Sequence, residues 1–81
     1  MSRIEIIKEF VSYCIDTKLN TKQKTSKNKF INAHMLNHAE YYGIKNFENT
    51  KKQIENILKY NPLTIEKMKQ EKIKDLQQLP F

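Results

Sequence analysis

The chain has one cysteine, one glycine, two prolines and no tryptophan. Each scarcity excludes something. The single cysteine, Cys14, has no internal partner, so the chain is not a disulfide-stapled secreted module. An all-β domain needs turn residues about every 8–12 positions, and one glycine with two prolines does not supply them. No glycine-rich loop is available to cradle a phosphate, and neither H-E-x-x-H nor C-x-x-C occurs. No apolar run approaches the roughly 18 residues of a membrane span. The opening Met-Ser-Arg-Ile-Glu has no signal-peptide core, which leads to the expectation of a cytoplasmic protein. No nucleophile, base and acid fall into a recognisable catalytic pattern, so no enzyme, catalytic residue or cofactor is expected.

What is present suits helices. The 81 residues are 38% hydrophobic and 30% charged, enough for one small domain that buries about 60% of its unfolded surface. The expected fold is all-α, a compact bundle of about four helices. Ser2 and Glu5 have capping-box spacing at the start of a first helix, expected over about 3–18. At about 100° per residue, Ile4, Ile7, Val11, Cys14 and Ile15 share one face of it, and Ile6, Phe10 and Tyr13 form a second stripe beside them. The combined arc is roughly 200° wide, about twice that of an ordinary surface helix. The first stripe is assigned to the core. The second is surplus, and is expected to face a partner protein or a second copy in a homodimer.

A second helix is expected over about 28–42, with Ile31, Met35, His38 and Tyr42 inward and Gly43 as its left-handed stop before Ile44. A third is expected over about 47–60, capped by Asn46, with Phe47, Thr50, Ile54, Ile57 and Leu58 on one stripe. Pro62 ends it. A fourth is expected over about 63–79, capped by Asn61 or Thr64, with Ile65, Met68, Ile73, Leu76 and Leu79 on one face.

The net charge is +6, and it is unevenly spread. Residues 17–29 contain five lysines and no acid. They read as a basic, flexible loop. Arg3 is the only arginine, and the wealth of Lys, Asn and Ile is what an AT-rich genome produces. Codon bias does not, however, gather the charge into one segment. Lysines on a loop can follow a phosphate backbone and release its counterions. They can also simply keep a protein soluble.

Ala39, Gly43 and Ile44 have the spacing of the turn in a helix-turn-helix. Asn49 and Lys52 stand where that motif has apolar residues, so a motif here needs a lengthened turn, and an ordinary helical hairpin is the alternative. If the motif is real, the third helix presents Asn49, Lys52, Gln53, Asn56 and Lys59 outward. Asn and Gln can pair with adenine, and Lys can reach guanine or phosphate.

His34 and His38 stand one helical turn apart, a spacing that can chelate a metal. With Cys14 or an unspecified carboxylate as the only further ligands, they read as histidines at the apolar edge of a helix, and no metal is expected. Cys14 sits among Ile7, Val11 and Ile15 and reads as a buried, inert thiol. Of the aromatics, Tyr41 and Tyr60 are candidates to stack on nucleic-acid bases, while Phe10, Tyr42 and Phe47 fit the core.

Two functions remain. One is a small basic regulatory protein that binds DNA or RNA through Lys18, Lys22, Lys24, Lys27, Lys29 and the third helix. The other is an adaptor or inhibitor, for example a mobile-element or phage protein blocking a host protein, that docks through Ile6, Phe10 and Tyr13 or through the fourth helix.

Overall fold

A computed structural model describes residues 2–38 and 46–78. Those residues are all-helical, with four α-helices and no strand among them. The helices are α1 (Arg3–Thr17), α2 (Lys24–Asn37), α3 (Phe47–Tyr60) and α4 (Pro62–Gln77). None is long and apolar enough to cross a membrane.

The ends of α1 have clear local causes. Ser2 Oγ accepts a hydrogen bond from the Glu5 N–H at 3.2 Å, satisfying one of the first-turn donors that have no intrahelical partner. At the other end Lys18 adopts φ 59° and ψ 39°. The Leu19 N–H donates to the Cys14 carbonyl at 2.8 Å, and the Lys18 N–H donates to the Ile15 carbonyl at 3.3 Å. This pair of bonds is a Schellman motif, with lysine in the left-handed position that glycine usually takes. Leu19 packs half-buried against the core and closes the motif.

The connection after α1 is shorter than the basic, flexible loop expected over 17–29. The Asn20 side chain accepts from the Lys22 N–H at 2.9 Å, and the Asn20 carbonyl accepts from the Gln23 N–H at 3.2 Å. Helix α2 then begins at Lys24, four residues before the expected start. The reason lies in Ser26, which is fully buried. It precedes Phe30 by four positions, so the inward face continues one turn upstream of the first large apolar residue. A small polar side chain occupies that turn, and apolar periodicity does not register it. Described structure resumes at Asn46, so Ala39, Tyr41, Tyr42, Gly43 and Ile44, and with them the helix-turn-helix turn, lie outside the described residues.

Helix α3 spans 47–60 as expected, with Ile54 and Leu58 buried and Phe47, Thr50 and Ile57 half-buried. The side chain of Asn46 makes no capping bond. Asn61 caps backward, its amide donating to the Ile57 carbonyl at 2.7 Å, while Pro62 opens α4 at the first helical position. Of the α4 stripe, Ile65 is buried, Met68 and Ile73 are half-buried, and Leu76 is exposed. Leu79 lies outside the described residues.

Helix α1 is central and packs against α2, α3 and α4. Its Ile6, Ile7, Phe10, Val11 and Cys14 are buried with Phe30, Ile31 and Met35 of α2, Ile54 and Leu58 of α3, and Ile65 of α4. Of Ile6, Phe10 and Tyr13, assigned to a partner or dimer interface, this corrects the first two, while Tyr13 is half-buried. Ile6 and Phe10 are 2% and 0% exposed within the single chain. The Phe30 ring covers this stripe, 5.3 Å from the Phe10 ring and 5.7 Å from that of Tyr13. Residues of both stripes of α1 therefore contribute to the core of the bundle. Ile4, placed in the core by its spacing, is instead 38% exposed.

Candidate nucleic-acid interface

Ten polar residues were candidates for nucleic-acid contact, and the fold brings five of them to one place. A groove of about 570 Å³ between α2 and α3 is lined by Lys22, Lys24, Lys27, Asn28, Ile31, Glu55, Asn56 and Lys59. Lys22 comes from the connection before α2, and Lys24 and Lys27 from the first turn and a half of that helix. Asn56 and Lys59 come from the outer face of α3. The groove thus joins the basic segment to the third helix, which are distant in the chain.

The local geometry follows from helical spacing. Lys24, Lys27, Asn28 and Ile31 fall at i, i+3, i+4 and i+7 and share one side of α2. Asn56 and Lys59 are three apart on α3, and Lys52 and Asn49 extend the same line toward the start of that helix. Ile31 is buried, so it forms an apolar floor beneath a polar rim. Four lysines against the single carboxylate of Glu55 leave the lining net positive. The first turn of α2 has no acid, and the exposed N–H groups at a helix N-terminus add about half a positive charge. The site therefore concentrates cation on cation, a cost that an anion in the groove would offset.

The other candidates stand outside this lining. Lys18, Lys29, Asn49, Lys52 and Gln53 are exposed. Lys29 points away from the groove side of α2, about 100° from Asn28 around the helix. Tyr60 is 69% exposed, with the Lys59 ammonium 5.3 Å from its ring centroid. Tyr41 lies outside the described residues. Asn28 and Ile31 were not anticipated in this site. The signal for them was available only once α2 was known to begin at Lys24.

Comparison with protein-family models, with curated proteins and with solved structures finds no match to this chain. The functional reading rests on the geometry alone.

Two further features bear on chemistry. Glu9 of α1 faces His34 and His38 of α2. Its Oε1 lies 2.9 Å from His34 Nδ1 and 3.8 Å from His38 Nε2. The two imidazoles lie 4.5 Å apart between centroids, their planes tilted by 40°. His34 is fully buried, whereas Glu9 and His38 are each about a third exposed. Cys14 is 1% exposed, and burial pushes its thiol up to about 11, with Lys69 acting weakly in the opposite direction. A buried thiol held in its neutral form is a poor nucleophile.

A smaller hollow of about 300 Å³ lies between α1 and α4, lined by Lys8, Val11, Ser12, Met68, Glu71, Lys72 and Asp75. Its two acids and two lysines balance, and no group within it stands out for binding or catalysis.

Proposed function

We infer that this protein binds nucleic acid by laying a phosphate backbone along the groove between α2 and α3. The observation that carries this reading is the convergence of Lys22, Lys24 and Lys27 with Asn56 and Lys59 on one concave surface. Phosphates neutralise the lysines and the α2 N-terminus and release counterions. Asn28 and Asn56 carry amides that can donate to phosphate or base edges. Because lysine dominates, the contact supplies affinity and position more than sequence discrimination. Lys52, Gln53 and Asn49 extend the contact along α3, and Tyr60 offers an exposed ring for stacking on an unpaired base.

The adaptor reading has less support. Ile6 and Phe10 of the first helix are buried, and the stripe of α4 gives Ile65 to the core, with Met68 packed half-buried against it. Among the described residues the exposed large apolar side chains, Ile4, Leu36, Tyr60, Leu63 and Leu76, are spread over all four helices.

Fluorescence-anisotropy titration with random-sequence duplex DNA, single-stranded DNA and RNA over a range of salt tests the proposal. Binding that weakens steeply with salt, and that is lost when Lys22, Lys24, Lys27 and Lys59 are changed to Gln, is expected. The matched control changes Lys67 and Lys74, exposed lysines of α4 outside the groove, and retains affinity.

A further inference from the structure

We propose that Glu9, His34 and His38 form a binding site for one divalent metal ion of the zinc class, clamping α1 to α2. A metal was not expected from the sequence, because two histidines one turn apart lack a third ligand. The fold supplies it from a different helix, twenty-five positions upstream of His34.

The geometry is close to what such an ion requires. One ligand atom from each of the three residues lies within 4.8 Å of the others. Zinc bonds to imidazole nitrogen and carboxylate oxygen are about 2.0–2.1 Å, so tetrahedral ligand atoms stand about 3.3 Å apart. The observed Glu9–His34 and Glu9–His38 separations of 2.9 and 3.8 Å bracket that value. All three ligand atoms lie within 4.8 Å of one another, so closing the set on an ion takes side-chain shifts of Glu9 and His38 toward His34. Such shifts are accessible because Glu9 and His38 are each about a third exposed. Their exposure also gives the ion a path in and leaves a fourth position for water.

The donor set selects the metal. Two imidazoles with one carboxylate suit zinc, cobalt and nickel, while magnesium and calcium prefer sites made of oxygen. Rigidity adds to the donor set. His34 is held in the core, with the Phe30 ring 5.7 Å from its own. One ligand is therefore preorganised, and the other two close on it. Cys14 does not belong to the set, since burial holds it as a neutral thiol and only the thiolate is an effective ligand.

Calorimetric titration of the metal-stripped protein with zinc chloride tests the proposal, together with the visible absorption of the cobalt-loaded protein. One zinc per chain is expected, with cobalt bands of a site containing nitrogen ligands. Saturating zinc should raise the melting temperature, by about 10 °C or more at a hundredfold excess over Kd. His38→Ala and Glu9→Gln should each weaken zinc binding at least tenfold. Both positions are part-exposed, so the variants are expected to fold, which far-UV circular dichroism checks. Cys14→Ser should bind zinc as the unaltered chain does, and magnesium should shift nothing. The proposal is overturned if zinc does not bind at about 100 µM protein, if His38→Ala and Glu9→Gln bind it undiminished, or if Cys14→Ser abolishes binding.

Discussion

Glu9 Oε1 accepts a hydrogen bond from the Nδ1 of buried His34 at 2.9 Å, and this contact ties the outer arc of α1 to the inner face of α2. Helical spacing places Glu9 among the polar residues of α1, with Glu5, Lys8 and Ser12. The packing of α2 against that helix turns a solvent-facing position into a partner for a core imidazole. In metal-free buffer with a chelator present, Glu9→Ala should destabilise the fold by about 1–3 kcal/mol, the range for a charge-assisted bond to a buried group. Glu9→Gln, which keeps an acceptor oxygen, should cost less. Urea unfolding followed by circular dichroism measures both.

Lys18 supplies a prediction of the opposite sign. It holds φ 59°, a conformation that costs a non-glycine residue about 1–2 kcal/mol. Lys18→Gly should remove that strain while the unfolded chain gains some freedom. A net stabilisation of about 0.5–1 kcal/mol is expected, visible as an increase in the denaturation midpoint at constant m-value. Since Lys18 stands outside the groove lining, nucleic-acid affinity should change little.

Much of this fold was legible in the residues, and the reasons for the gaps are physical. Helix α3 was readable at both ends because its apolar stripe is clean and Pro62 terminates it. Helix α1 was readable in extent, but its second stripe was assigned outward. Periodicity reports how wide an apolar arc is, and only packing reports what covers it. Here Phe30 covers Phe10 and Tyr13. The start of α2 was hidden because Ser26 and Thr21, both buried, are polar. The groove was half legible: its lysines and Asn56 were marked as exposed and polar, but their convergence is a tertiary fact. Glu9 carried no signal as a ligand until α2 was in place.

The buried hydroxyls of Thr21 and Ser26 find no hydrogen-bond partner among the described residues. Burying an unpaired hydroxyl costs about 1–3 kcal/mol. Ser26→Ala should therefore be neutral or stabilising by up to about 1 kcal/mol, even though it removes a polar group. Thr21→Val, close in volume, should behave alike. Thermal melts of the two single variants check this, and a loss of several degrees would indicate that the hydroxyls are paired in solution.

Cys14 sets a pH dependence. Its thiol is raised from an ordinary 9.0 to about 11. Above pH 9 the unfolded chain loses the thiol proton while the folded chain keeps it, so stability falls as pH rises from 9 toward 11. Each unit of separation corresponds to about 1.4 kcal/mol. Cys14→Ala should lose less stability over that interval than the unaltered chain, which isolates the thiol from lysine and tyrosine titration. At pH 8 a thiol reagent should label Cys14 only slowly in the folded protein and rapidly in urea.

The salt dependence of nucleic-acid binding is the most direct measure of the groove between α2 and α3. If the groove holds a phosphate backbone through Lys22, Lys24, Lys27 and Lys59, log K against log salt should fall with a slope of about −3 to −4, at roughly −0.9 per phosphate neutralised on a duplex. Changing the four lysines to Gln should flatten the slope and abolish binding, while changing Lys67 and Lys74 should leave both intact. No detectable binding to DNA or RNA at about 50 mM salt, or binding indifferent to the four groove lysines, would contradict the account.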